Sequence, residues 1–248
     1  MSKKAKGPFS AAGKWPANKP VDRITQSHYL AQKYSVSRDL VRIHGGMKFF
    51  GRILPWLVFR RYFFFEGSPA VSPRTSAALD SMRVRRAGPA DIRAILRVRP
   101  GYYSAVQVRE RLEQGHLCFI VWVADEPVNI RWCFFGSVFL PYLGRTLALA
   151  RDEVYFDEVY TVPRFRGRKI DVRSYLFMIS WLKKHGFKKH FCLLTSWDTH
   201  LHRRYQALGL KKTGEVRSWN FLKLRRLVLR GGIKNIGGRM ISALRGRD

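Results

Sequence analysis

The run Val159-Tyr-Thr-Val-Pro-Arg-Phe-Arg-Gly-Arg-Lys-Ile170 carries the chemistry that is easiest to name from residue types and spacing. The β-rich stretch Val154 to Val162 stops at Pro163. Apolar residues from Ile170 onward (Leu176, Phe177, Ile179 and Leu182) suit a helix that ends at Gly186. Arg166 to Lys169 therefore stand where free backbone N–H groups and the positive end of a helix converge, an arrangement that binds anions. A pyrophosphate suits that chemistry. The alternative reading is a cationic turn on an already basic surface.

The rest of the chain must position this loop. With 248 residues and 46% hydrophobic content, it can bury one core domain with extensions. The 47 Lys+Arg against 17 Asp+Glu give a net charge of +30, far more than solubility requires. A polyanionic neighbour is expected, either nucleic acid or an anionic membrane surface. Cys118, Cys133 and Cys192 lie in apolar β-type runs without metal-ligand spacing, which reads as buried, reduced thiols in a cytoplasmic protein; no metal is expected. The basic start has no apolar h-region behind it, so a secretory signal is not expected. The longest apolar stretches, Ile53 to Phe59 and Phe134 to Leu143, fall short of the roughly 20 residues of a membrane-spanning helix.

Residues 1–45 read as a flexible basic arm with one short helix near Ser27 to Tyr34, and 46–80 as an aromatic-basic segment and linker. Within the latter, Met47 to Phe65 interleaves rings with Arg and Lys. It is either an interfacial lipid-facing segment or a helix and strand packed on the main domain. Residues 81–224 have a globular α+β pattern. Strand Val84 to Ala87, helix Pro89 to Arg99 and helix Ser104 to Glu113 come first, then a hairpin over His116 to Ala124 and Val128 to Leu140. After the strand, loop and helix described above come a strand Phe191 to Thr195, a helix Thr199 to Leu208 and β-type residues from Lys211. In 225–248, Ile233, Ile236, Met240, Ile241 and Leu244 have helical spacing among basic residues, which predicts a basic amphipathic tail.

The order β, α, α, β, β, β, α, β, α, β, β, with a basic glycine loop after the fourth core strand, resembles the GNAT superfamily of acyl-CoA-dependent N-acyltransferases from about Met82 to Leu224. The family's loop motif is Gln or Arg, two residues, Gly, one residue, then Gly or Ala. Arg164-Phe-Arg-Gly167-Arg-Lys169 meets its first and fourth positions, while Lys169 replaces the last small residue and Asp171 stands where another often lies. A second signature, Asn and then Tyr-x-x-Leu-Gly-Phe, is approached by Asp198 and Tyr205-Gln-Ala-Leu-Gly209-Leu210.

The resemblance implies a mostly antiparallel sheet flanked by helices, with acetyl-CoA or another acyl-CoA held along the fourth strand. The backbone of Tyr160, Thr161 and Val162 would meet pantetheine, and Arg164, Arg166, Gly167, Arg168 and Lys169 pyrophosphate, with Asp198 as a further cofactor residue. It also implies that an amine attacks the thioester. Strand alternation puts Glu158, Tyr160 and Val162 on one face, making Glu158 the candidate general base, a carboxyl of raised pKa; otherwise it is a strand-edge acid paired with an arginine. Tyr205 matches a tyrosine proposed in the family to protonate the leaving thiolate. Clustered His185, His190, His200 and His202 show no zinc spacing. The basic and aromatic segments favour a small-molecule or lipid-linked amine acceptor, such as a membrane-presented amino sugar, for a cytoplasmic enzyme peripheral to the inner face of the membrane. The alternative function is a catalytically inactive relative that binds an anionic membrane surface or nucleic acid.

Overall fold

The computed structural model describes residues 59–69, 82–140, 143–221, 224–231 and 240–242. The strands are β1 (Phe59–Gly67), β2 (Met82–Arg86), β3 (Leu117–Val123), β4 (Glu126–Phe134), β5 (Ser137–Leu140), β6 (Arg145–Ala148), β7 (Glu153–Thr161), β8 (Lys189–Thr195), β9 (Lys211–Phe221), β10 (Leu224–Gly231) and β11 (Met240–Ser242). The helices are α1 (Ile92–Val98), α2 (Ala105–Glu113), α3 (Ile170–Lys184) and α4 (Thr199–Ala207). Together they form a mixed α+β fold in which β7 and β8 pair in parallel, while the pairs β1–β9, β9–β10, β2–β3, β3–β4, β4–β7, β5–β6 and β6–β11 are antiparallel. The chain divides into two compact units. Among the described residues, the first holds Gly67–Gly136 and Leu149–Phe191, and the second holds 59–66, Ser137–Ala148 and those from Cys192 onward.

In the first unit the strand order is β8-β7-β4-β3-β2. Strand β4 is buried almost throughout, because helices cover both faces of the sheet and its alternate residues serve different layers. Trp132 packs near Tyr103 and the Arg111 guanidinium on the side of α2. Arg131, one residue away, turns to α3 on the other side, where its Nε donates to Ser174 Oγ at 3.3 Å and its Nη2 to the Asp171 carbonyl at 2.9 Å. A buried arginine thus fixes the first turn of α3 to the sheet.

Local signals explain the helix ends. Pro89 opens a 3-10 turn over Pro89–Asp91 that leads into α1, and the Asp91 carboxylate accepts from Gly88 N at 2.9 Å and from the Arg85 guanidinium. Ser104 caps α2, its Oγ accepting from Gln107 N at 3.2 Å while Gln107 Oε1 accepts from Ser104 N at 2.9 Å. Helix α3 buries Ile170, Ser174, Tyr175, Met178, Ile179 and Leu182 along one face. It ends where Gly186 takes φ +80° and Phe187 N returns to the Leu182 carbonyl at 3.1 Å. The cysteines are buried and none is in a disulfide.

In the second unit β8 continues, in the order β10-β9-β1-β8, and a small sheet runs β11-β6-β5. The aromatic-basic stretch ahead of Gly67 is, in its described part, the strand β1, antiparallel to β9, with Tyr62 and Phe64 buried. Three expectations change. The run Val128 to Leu140 is two strands, broken where Gly136 takes φ +68°, and residues 145–148 complete a hairpin with β5. Of the residues given helical spacing in the tail, Met240 and Ile241 belong to a strand paired with β6, and Ile233, Ile236 and Leu244 lie outside the described residues; ahead of them Leu224–Gly231 forms a hairpin with β9. Cross-strand hydrogen bonding at Met240 and Ile241 overrides a helix-compatible spacing. Domain 81–224 is shared between the two units. The arm, its short helix and most of the linker lie outside the described residues.

Candidate functional site

Between β7 and α3 the chain makes a 3-10 turn, Pro163–Phe165, and then crosses Arg166 to Lys169. Phe165 anchors this loop by packing on Val121, Val128 and Ile170. With that ring held, Arg164, Arg166, Gly167, Arg168 and Lys169 are all exposed. Gly167 has φ +80°, and a Cβ there would meet nothing within 4 Å, so the need for glycine is conformational rather than steric. Lys169 also lies in the left-handed region, at φ 55° and ψ 21°, an uncommon state for a residue with a side chain. Its side chain does not cap α3, so the first-turn N–H groups face the basic loop. Arg166 Nε donates to the Thr161 carbonyl at 3.2 Å, Arg164 pairs with Glu126, and Arg168 lies 5.4 Å from the Phe165 ring. Asp171, in the first turn of α3, sets one negative charge against these cations.

Strand β7 shares only Glu153, Tyr155 and the intervening Val154 with β8, opposite Lys189 to Phe191. From Glu158 to Thr161 its edge away from β4 has no strand partner among the described residues. On the β4 side the groups are engaged. Asn129 Nδ2 donates to the Tyr160 carbonyl at 3.0 Å and to Thr161 Oγ1 at 2.9 Å, and Val162 N donates to the Val128 carbonyl at 2.9 Å. The Asn129 amide oxygen is buried without a hydrogen-bond partner.

Glu158 sits where the β4–β7 register shifts, between the pairs Ile130↔Tyr160 and Trp132↔Asp157. The extra residue is a β-bulge, and Glu158 adopts φ 53° in it. Strict alternation therefore fails across Glu158, and the shared face with Tyr160 and Val162 expected from a period of two is not what directs this carboxylate. It turns instead toward α2, where Arg111 Nη1 donates to Oε2 at 2.6 Å, Arg111 Nη2 to Oε1 at 3.1 Å and Tyr103 Oη to Oε2 at 2.6 Å. The raised pKa expected for Glu158 is also corrected: burial pushes the carboxyl up, but the Arg111 charge and the Arg111 and Tyr103 hydrogen bonds outweigh it, and it is held below its ordinary value. Arg111 itself is packed 5.1 Å from the Tyr103 ring and 5.2 Å from that of Trp132. Arg99 stacks on Tyr102 at 3.2 Å and stands 5.0 Å from the Tyr160 ring. Arg99, Tyr102, Tyr103 and Arg111 were not among the sequence candidates. For Arg111 a signal existed, because it follows the buried Val108 by three residues and so shares its helix face.

No protein-family model matches the chain, and no curated protein matches it. Solved structures similar to it include proteins described as GNAT-family acetyltransferases. One, from Colwellia psychrerythraea, is 13% identical with a TM-score of 0.47, over 69% of this chain and 56% of that one. A Novosphingobium aromaticivorans protein assigned to the same family is 15% identical with a TM-score of 0.46, over 70% of this chain and 66% of that one. AAC(6')-Iy in complex with the bisubstrate analogue CoA-S-monomethyl-acetylneamine is 14% identical with a TM-score of 0.43, over 58% of this chain and 97% of that one. The chain thus spans less than two thirds of the Colwellia and Novosphingobium proteins, and the likeness is one of fold.

The two remaining candidates belong to the second unit. Asp198 is the N-cap of α4, its Oδ1 accepting from Leu201 N at 3.0 Å. That places its carboxylate on the helix it starts. Tyr205 is buried on α4, 3% exposed. The first unit therefore brings together Glu158, Tyr160 to Val162 and the loop from Arg164 to Lys169, and the second holds Asp198 and Tyr205.

Proposed function

We propose that the protein transfers an acyl group from acyl-CoA to an amine. The observation that carries this reading is the loop that follows β7. An exposed run of cations and a left-handed glycine lead into the uncapped N-terminus of α3, beside a β7 edge with no strand partner among the described residues. A pyrophosphate needs the first and an extended amide chain such as pantetheine needs the second. Acyl-CoA supplies an activated thioester carbonyl. Arg166, Arg168, Lys169 and the first-turn N–H groups of α3 hold its phosphates, and the β7 backbone from Tyr160 to Val162 orients its amides.

Glu158 lies on the same strand as an anion, because Arg111 keeps it ionised. A fixed carboxylate attracts a protonated amine, orients it by hydrogen bonding and passes its proton to water. Tyr205 is the proposed proton donor to the departing thiolate. The acceptor is proposed to be a small-molecule amine or a lipid-linked amino sugar, on the strength of the +30 charge and the aromatic-basic segments.

The test is a thermal shift with acetyl-CoA, longer acyl-CoAs and free CoA, in enough salt to suppress general polyanion binding. A saturable rise larger than that given by ATP is expected. Glu158→Gln should keep the rise and lose turnover. No response to any CoA compound would overturn the reading and favour an inactive binding protein, the outcome to which Lys169 in the loop and Asp171 in the first turn of α3 point.

A further inference from the structure

Among the described residues, α4 reaches one face of the second unit's sheet at Phe63, whose ring lies 5.2 Å from that of His202, and the same face is open over Phe59, Trp219 and β10. Alternation along β1 and β9 turns Tyr62, Phe64, Val216 and Ser218 inward. Phe59, Arg61, Arg217 and Trp219 therefore turn outward. The register aligns Phe59 with Trp219 and Arg226, and Arg61 with Arg217 and Val228. The Phe59 and Trp219 rings lie 5.1 Å apart, and Phe59 is 36% exposed. Arg217, Trp219, Arg226, Val228 and Arg230 line an open basin on this face. Strands β1, β9 and β10 carry two carboxylates: Glu66, opposite Lys211 at the far end of β1, and Glu215, which is taken by Arg61 Nη2 at 2.7 Å and by Arg217. The face is thus aromatic at one end and strongly cationic along its length.

We propose that this outer face of β1, β9 and β10 docks the protein on an anionic lipid surface. Charge complementarity calls for phosphate, and arginine is suited to it by its forked donors. The neighbouring sequence decides between a bilayer and a nucleic acid. In the sequence, Ile53-Leu-Pro-Trp-Leu-Val58 immediately precedes β1 and Leu222-Lys223 separates β9 from β10. Aliphatic side chains neither stack on bases nor bond to phosphates, whereas at a lipid interface they enter the acyl boundary while rings and arginines stay at headgroup depth. No helix among the described residues is long and apolar enough to cross a membrane, so the contact is a surface one. This docking does not depend on acyl transfer.

The experiment is co-sedimentation of the full chain with phosphatidylcholine vesicles, with and without about one third phosphatidylglycerol, at physiological ionic strength. Arg226→Glu with Arg230→Glu alters two exposed side chains. That pair should lower partitioning onto the anionic vesicles by roughly tenfold or more. Arg93→Glu with Arg109→Glu makes the same change of net charge on exposed positions of α1 and α2 and should leave most of the binding. Equal losses in both pairs would mean that only net charge acts, and would overturn the proposal. So would absence of vesicle binding, or equal binding to neutral vesicles. Binding of a single-stranded oligonucleotide without vesicle binding, abolished by the β10 pair, would assign the face to nucleic acid instead.

Discussion

Arg111 of α2 and Glu158 of the β7 bulge form a two-pronged ion pair, with contacts of 2.6 and 3.1 Å, that ties the helix layer to the strand bearing the candidate site. Both side chains are largely buried, at 24% and 19% exposure. Arg111→Met leaves a carboxylate in that setting without its cation. The expected loss is about 3 kcal/mol of unfolding free energy, measured by urea denaturation. The same variant should raise the Glu158 pKa, since burial would then act unopposed. Combining Arg111→Met with Glu158→Gln should cost less than the sum of the two single changes, because the double variant has no stranded charge.

The pH dependence of stability should have two stages on acidification. His190 is buried, and burial together with the Arg131 charge lowers its pKa to about 3 from an ordinary 6.5. Its Nε2 lies 2.9 Å from Tyr175 Oη. Between those two values the unfolded chain binds a proton that the folded one does not, so stability falls as pH drops from about 6.5 toward 3. Glu215 acts lower down. Hydrogen bonding to Arg61, with Arg217 adding to it against a smaller effect of burial, holds Glu215 at about 2, so its contribution is present above 4.5 and is lost as pH falls toward 2. His190→Asn should shrink the upper stage of a thermal-midpoint titration to the share of His116, which burial and the Arg111 charge lower to about 4, and leave the lower stage unchanged. A titration unchanged in the upper stage would refute the assignment.

The parts of the fold that could be read from the chain are those set by local chemistry. Pro163, the Ser104–Gln107 capping box and Gly186 each mark a boundary through their own backbone preferences, and the structure places turns or helix ends there. The parts that could not be read depend on partners distant in sequence. The bulge at Glu158 exists because β7 carries one more residue than β4 opposite Arg131, which no periodicity within β7 reveals. Likewise Met240 and Ile241 fall at helix-compatible spacing with Ile236 and Leu244, and pairing with β6 makes Met240–Ser242 a strand. The loop cations were legible because the sequence alone places them between a strand and a helix. The Arg111 partner of Glu158 was not, because 47 residues separate the two.

The loop allows two opposite substitutions. Gly167 holds φ +80° in open space, so Gly167→Ala should cost about 1 kcal/mol through backbone strain without any clash. Lys169 is already in the left-handed region, and Lys169→Gly should relieve strain and stabilise the fold by up to about 1 kcal/mol. Chemical denaturation of both variants checks the signs. Under the acyl-CoA reading Gly167→Ala should also weaken the acyl-CoA thermal shift, because it disturbs the turn that presents the first-turn N–H groups.

Tyr205 separates a chemical role from a packing one. It is 3% exposed on α4, so Tyr205→Phe retains the ring and the apolar contacts and removes only the hydroxyl. If that hydroxyl protonates the departing thiolate, kcat should fall by about a hundredfold or more while the acyl-CoA thermal shift stays at the wild-type value. A donor whose leaving thiol is already acidic needs less protonation, so a thioester of an electron-poor thiol should recover much of the lost rate in Tyr205→Phe and gain little in the wild type. Rate loss with no such recovery would make Tyr205 a residue of the second unit's core, and proton delivery would have to be sought elsewhere.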